Sequence, residues 1–210
     1  NELKDYQGAV DDFGKAIEIN PQYADAYYNR GNARHDLQDY QGAIADYTKA
    51  LEIKPRLALA YNNRGNTRRK LKDYRGAIAD LNEAIEIAPR FTEAYTNRGV
   101  TKGHLGDYKG AIADHSKALE INPQEVNAYF NRGLARYDLK DYQGAIADFT
   151  KAIEINPRDG DFHNERGDAR SNLGDRRGAC DDYKIAVSLG HQKATQWLNS
   201  EEGTWCRNMQ

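Results

Sequence analysis

The sequence is short of almost everything that builds a single deep core. Only 39% of its 210 residues are hydrophobic, with one Met, two Trp and five Phe. No apolar run approaches the roughly 18 residues of a membrane span, so insertion into a bilayer is not expected. There is no excess of positive charge either: 30 Lys and Arg stand against 32 Asp and Glu. A nucleic-acid partner would need a basic face to displace counterions, and is therefore not expected. Cys180 and Cys206, the two cysteines, are too few for a disulfide framework. The five histidines show no metal-ligand spacing, and neither an HExxH nor a P-loop is present. Hence no catalytic residue, metal or other cofactor is expected, and the chain does not read as an enzyme. It opens at Asn1 without Met or a visible signal peptide, so a truncated natural N-terminus and a cytoplasmic location are the expectations.

What the chain has is a repeat, and repeats decide the fold before anything else does. Asn-Arg-Gly occurs at Asn29, Asn63, Asn97 and Asn131, with Glu165-Arg166-Gly167 as an altered copy, 34 residues apart each time. Asp-Tyr-x-Gly-Ala recurs from Asp5, Asp39, Asp73, Asp107 and Asp141, and Asp175 opens a variant. Pro21, Pro55, Pro89, Pro123 and Pro157 keep the same step. Each unit reads as two helices. The first runs from about Ala24 to Leu37. Asp39 then caps a second that carries Ala43, Ile44, Tyr47, Ala50 and Leu51 on one face, and Pro55 ends it.

Tyr27, Gly31, Ala43, Tyr47, Ala50 and Pro55 stand at the offsets of the tetratricopeptide repeat, which the chain resembles over residues 1–193. The phrasing of its units looks most like tetratricopeptide-repeat proteins of photosynthetic bacteria. The resemblance implies an all-α fold, a right-handed superhelical solenoid of antiparallel helix pairs. Full units would span 24–57, 58–91, 92–125, 126–159 and 160–193. Residues 1–23 would be the tail of a cut unit, and 194–210 a capping helix and tail. Trp197 falls in the slot of Tyr27, so a helix from about Gln192 to Asn199 should cover the last unit, with Trp205 folding onto it. The opposite end has no cap, and that edge is the expected route to self-association.

The departures from the family pattern are charges. Arg30 and Arg34 replace the usual Leu and Tyr, four apart on one helical face, and Asp46 lies on the second helix opposite them. The set recurs as Arg64, Arg68 and Asp80; Arg98, Lys102 and Asp114; Arg132, Arg136 and Asp148; Arg166, Arg170 and Asp182. These form either an internal ladder of paired charges or a row of cations for an anionic ligand. The ladder is the preferred reading, because buried charges are normally paired.

The resemblance also implies a groove lined by the first helices. From its groove-facing positions we select Tyr28, Asn29, Asn32, Asn62, Asn63, Asn66, Arg69, Lys70, Asn97, His104, Phe130, Asn131 and Tyr137 as candidates for binding a peptide. Asn29, Asn63, Asn97 and Asn131 form a row resembling the peptide-holding asparagine ladder of O-GlcNAc transferase. A carboxamide donates and accepts, so the row suits a peptide backbone. It equally suits capping of neighbouring backbone groups as part of the framework. Tyr28, Arg69, Gly103 and Phe130 vary between units, as selective positions or by drift. Asn62, Asn66, Asn97, Asn127 and Asn131 stand where the chaperone-type clamp has its Lys, Asn and cation set, but the cations are missing. Recognition of chaperone tails is not expected.

The reading is a scaffold that grips a peptide or helix of a partner protein. Its rival is a regulatory array of a larger enzyme whose catalytic part lies upstream. Base-by-base RNA recognition would need a basic groove that the mixed one here does not offer.

Overall fold

The computed structural model describes residues 2–209, and side chains from residue 5 onward. Two compact units appear, Asn1–Gly106 and Asp107–Gln210. The first contains α1 (Glu2–Ile19), α2 (Ala24–Asp36), α3 (Tyr40–Ile53), α4 (Ala58–Lys70), α5 (Tyr74–Ile87) and α6 (Thr92–His104). The second contains α7 (Tyr108–Ile121), α8 (Val126–Asp138), α9 (Tyr142–Ile155), α10 (Gly160–Asn172), α11 (Arg176–Ser188), α12 (Gln192–Asn199) and α13 (Thr204–Arg207). The fold is all-α, and within each unit consecutive helices pack on one another, most closely as the pairs α2–α3, α4–α5, α8–α9 and α10–α11. No described helix is long and apolar enough to cross a membrane.

The recurring signatures are explained by local chemistry. Asp39, Asp73, Asp107, Asp141 and Asp175 each accept a hydrogen bond from the amide of the Gly three residues on, closing the first turn of the second helix. That Gly sits under the capping carboxylate: a Cβ at Gly42 would run into Asp39. Gly31 is small for a different reason. A Cβ there would lie 2.7 Å from the Tyr47 ring, so the close approach of α2 and α3 depends on its absence. The layers are filled by alanines and by a larger group at one repeat position, where Tyr47, Leu81, His115, Phe149 and Tyr183 are all buried. A hydrophobic content of 39% suffices because the layers are thin.

First helices end on a residue in the left-handed region. Gly174 takes that place at φ +83°, whereas Gln38, Lys72 and Lys140 hold φ of 62–63° despite their side chains. The Asp73 amide then donates to Arg68 O at 2.9 Å, as in a Schellman turn. An L-residue pays about 1–2 kcal/mol for this backbone, and Gly loses part of that gain to unfolded-state entropy. Lys72→Gly should therefore stabilise the chain by about 0.5–1 kcal/mol, raising the thermal midpoint by a few degrees. A midpoint that falls instead would place Lys72 in a contact its exposed position does not suggest.

At the C-terminal end the Trp197 ring packs on Tyr183 at 4.3 Å between centroids, and Trp205 meets Trp197 edge-on at 5.7 Å. Cys180 and Cys206 are joined in a buried disulfide across 26 residues, tying α13 to α11. The cysteine count argued against a disulfide framework. One bridge forms because the tail folds back onto α11, a return that no repeat position encodes.

Candidate functional site

The arginines are internal. Arg64 Nε and Nη2 reach Asp80 at 3.0 and 2.7 Å, and Arg68 Nη1 shares the same carboxylate at 2.8 Å. The arrangement repeats at Arg30, Arg34 and Asp46, at Arg132, Arg136 and Asp148, and at Arg166, Arg170 and Asp182. All four carboxylates are buried. A third contact ties the ladder to the preceding pair: Arg64 Nη1 donates to Thr48 Oγ1, Arg132 Nη1 to Ser116 Oγ, and Arg166 Nη1 to Thr150 Oγ1, at 3.0–3.1 Å. These cations are committed to the buried carboxylates, which balance their charge inside the helix pairs.

In the first unit a polar cavity of about 350 Å³ opens between α2 and α4. Asn32, His35 and Asp36 come from α2, Asn63 and Asn66 from α4, and Tyr47 of α3 lies beneath. A chain of carboxamides runs through its wall. Asn97 Nδ2 donates to Asn62 Oδ1 (2.9 Å), and Asn62 Nδ2 to Asn63 Oδ1 (3.0 Å). Asn63 Nδ2 in turn reaches Asn32 Oδ1 (2.9 Å) and the Tyr28 hydroxyl (3.1 Å). The Tyr47 hydroxyl donates to Asn32 Oδ1 at 2.8 Å, and burial pushes its pKa well up. Asn63 and Asn97 are thus engaged inside the protein, not turned into solvent as a free row would be.

The donors left over stand one position-set along. Asn32 uses only its Oδ1, and Asn66 Oδ1 accepts from Arg69 Nη2 at 2.6 Å. Asn32 and Asn66, on equivalent turns of α2 and α4, line the cavity, and their Nδ2 groups have no acceptor among the described residues. His35 Nδ1 pairs with Thr67 Oγ1 at 2.9 Å; burial lowers the His35 pKa, against an opposing pull from Asp36. Asn29 is half-buried on α2, and Lys70 is exposed. His104 is also exposed and stacks on Tyr74 at 5.3 Å.

The second unit places its candidates differently. Phe130 packs against Phe149 and Phe162, at 5.8 and 4.9 Å between centroids. Asn131 Nδ2 donates back to Asn127 O, and the Tyr137 hydroxyl accepts from Asn172 Nδ2 at 3.0 Å. Glu165 takes the place of the row's Asn; burial, with Asp168 beside it, raises its pKa. Of the cavity residues, His35 and Asp36 stand at groove-facing repeat positions outside the selected candidates, and Tyr47 reads from sequence as part of the apolar face of its helix. Tyr47 carried a signal: Leu81 and Phe149 fill the same place without a hydroxyl, and a buried hydroxyl needs a partner.

Similarity to known proteins agrees with this architecture. The tetratricopeptide-repeat model matches residues 24–57, 58–91 and 126–159, and a second model of the repeat matches 1–38 and 104–140. Together they take in well over half of the chain. Among solved structures, MamA from Desulfovibrio magneticus RS-1 superimposes with a TM-score of 0.74 at 18% identity, over 80% of this chain and 96% of that one. YrrB, described as a TPR protein with an unusual peptide-binding site, gives 0.71 at 25% identity, over 88% of this chain and 96% of YrrB. The first TPR of Spaghetti (RPAP3), bound to an HSP90 peptide, gives 0.55 at 26% identity, over 56% of this chain and 93% of that one. Among curated protein sequences nothing matches significantly.

Proposed function

Because the chain belongs to the tetratricopeptide-repeat family, we propose that it is a non-catalytic interaction module whose first unit receives an extended peptide between α2 and α4. The observation that carries this reading is a pair of carboxamides on one polar cavity, Asn32 and Asn66, whose Nδ2 donors have no acceptor among the described residues. Two N–H groups on consecutive first helices can each take a backbone carbonyl, which holds a peptide without reading its side chains. Peptide binding by YrrB and by the first TPR of RPAP3 supports the same use of the fold.

The test uses peptides selected from a displayed random library against the wild-type chain. Each lost neutral hydrogen bond should cost about 0.5–1.5 kcal/mol, so Asn32→Ala with Asn66→Ala should weaken binding roughly 5- to 150-fold, across peptides of unrelated sequence. The double variant should melt below wild type, because Asn32 Oδ1 accepts from the Tyr47 hydroxyl and from Asn63 Nδ2, so affinities are compared well below both midpoints. Affinities unchanged within twofold would move the peptide elsewhere. Asn63→Ala with Asn97→Ala should also lower the melting temperature, because those amides bond within the protein, but with a smaller loss of affinity.

A further inference from the structure

Beside the cavity lies a cation that no carboxylate among the described residues pairs with. Arg69 follows Asn66 by one turn on α4, next to two arginines that both pair with Asp80. Arg69 has no such partner. Its side chain is half-buried, its Nε is fully buried and unbonded, and its single hydrogen bond among the described residues goes to Asn66 Oδ1 at 2.6 Å. Withdrawal from water pushes its pKa down, with only Tyr74 opposing, yet a guanidinium remains charged at neutral pH. A partly desolvated charge without a counter-charge is costly, and such groups collect at functional sites.

The surroundings explain why the protein does not satisfy it. At the same place in other units, His35 bonds Thr67 and Tyr137 accepts from Asn172, each using the next first helix. Arg69 does not make the corresponding contacts: Thr101 Oγ1 donates to Asn97 O at 2.7 Å, as Thr67 does to Asn63 O, but Arg69 Nε stays unbonded, and the His104 ring lies on Tyr74. Position 103, next in the series, is Gly, and a Cβ there would meet nothing within 4 Å. The space that a side chain would fill is open. Lys70, exposed on the following residue, adds a second positive charge. Asp36, the one carboxylate lining the cavity, sits on α2 and forms no ion pair with Arg69.

We propose that Arg69 is a specificity anchor, pairing with an Asp or Glu side chain of the peptide held along α2 and α4. The proposal rests on the peptide reading of that cavity. Asn66 fixes the guanidinium plane through Nη2, leaving the Nη1 hydrogens and the other Nη2 hydrogen for the two oxygens of a carboxylate. A peptide engaging Asn32 and Asn66 through its backbone would present this side chain at the α4 end of the cavity.

The same carboxylate chemistry could come from a chain terminus, so the probes separate the two sources. Arrays of decapeptides with randomised flanks and a fixed central Glu, Asp, Gln or Lys are prepared as C-terminal amides and as free acids. On the wild-type chain, amidated Glu and Asp peptides should be retained about ten- to a hundredfold more strongly than their Gln counterparts, the range of a charge-assisted hydrogen bond. Arg69→Gln should abolish that preference and leave the weaker Gln peptides unaffected; Arg69→Lys should keep part of it. Arg69→Gln should melt at or above the wild-type temperature, because it removes an unbalanced charge; a purely structural Arg69 would give a fall. A preference that survives in Arg69→Gln overturns the assignment, as does retention that requires a free C-terminal acid. Peptides bound through Asn32 and Asn66 without any acid preference would sink the anchor and leave the cavity reading standing. No retention of any peptide would remove both.

Discussion

Replacing Asp80 with Ala should lower the thermal midpoint by roughly 6–12 °C, the equivalent of about 3 kcal/mol in a chain of this size. The carboxylate is buried and accepts from Arg64 Nε, Arg64 Nη2 and Arg68 Nη1. Its removal leaves two guanidinium groups inside the α4–α5 pair with no counter-charge. Their side chains keep 13% and 25% of their exposure, so water can reach them in part, and the expected loss lies at the lower end of the range for broken buried pairs. Removing the charges together should be far milder: Asp80→Ala combined with Arg64→Met and Arg68→Leu should recover most of the midpoint. A shift of less than a degree or two in the single variant would mean that the arginines are solvated and that the ladder does not hold the helix pairs together.

The second large effect concerns acid. His115 occupies the place that Tyr47, Phe149 and Tyr183 fill in other pairs, and it is 1% exposed with Nδ1 unbonded. Burial lowers its pKa to about 4, with Asp114 raising it and Arg132 lowering it. The folded protein therefore holds a neutral imidazole until the solution reaches about pH 4, whereas the unfolded chain takes up its proton near 6.5. Below pH 6.5 the unfolded state binds more protons, so stability falls as pH drops and levels off below about 4. The full loss is about 3 kcal/mol from this one group. His115→Phe, copying Phe149, should flatten the urea-unfolding stability between pH 6.5 and 4 without much change at pH 8. An unaltered pH profile in the variant would place the acid sensitivity in other groups.

How far these features were legible beforehand depended on whether a residue's partner lay in its own repeat. The Arg–Asp ladder and the Asp caps were readable because complementary charges and Asp–Gly spacings recur within one unit. The bond from Arg64 to Thr48 was not anticipated, although Thr48, Asn82, Ser116 and Thr150 carried a signal: each is a small polar residue at the 34-residue step. The asparagine row was the harder case. Whether Asn63 faces a ligand or its neighbours depends on Tyr28 and Asn32 of the preceding helix, and spacing alone cannot choose between two uses of the same amide. Arg69 appeared as one variable groove residue among several. Its isolation comes from the stacking of His104 on Tyr74 and from the open space at Gly103, which are packing facts. The Cys180–Cys206 bridge lay outside the repeat altogether.

The central claim is that charges facing between the helices build the scaffold while free amides on α2 and α4 bind. It is tested most directly by titrating a library-selected peptide into ¹⁵N-labelled protein and following the side-chain amide and guanidinium signals. The account predicts that the Nδ2 resonances of Asn32 and Asn66 and the Nε resonance of Arg69 shift in a saturable way, while the Nε resonances of Arg30, Arg64, Arg132 and Arg166 stay in place. Saturable shifts confined to the ladder arginines, with Asn32 and Asn66 unmoved, would contradict it.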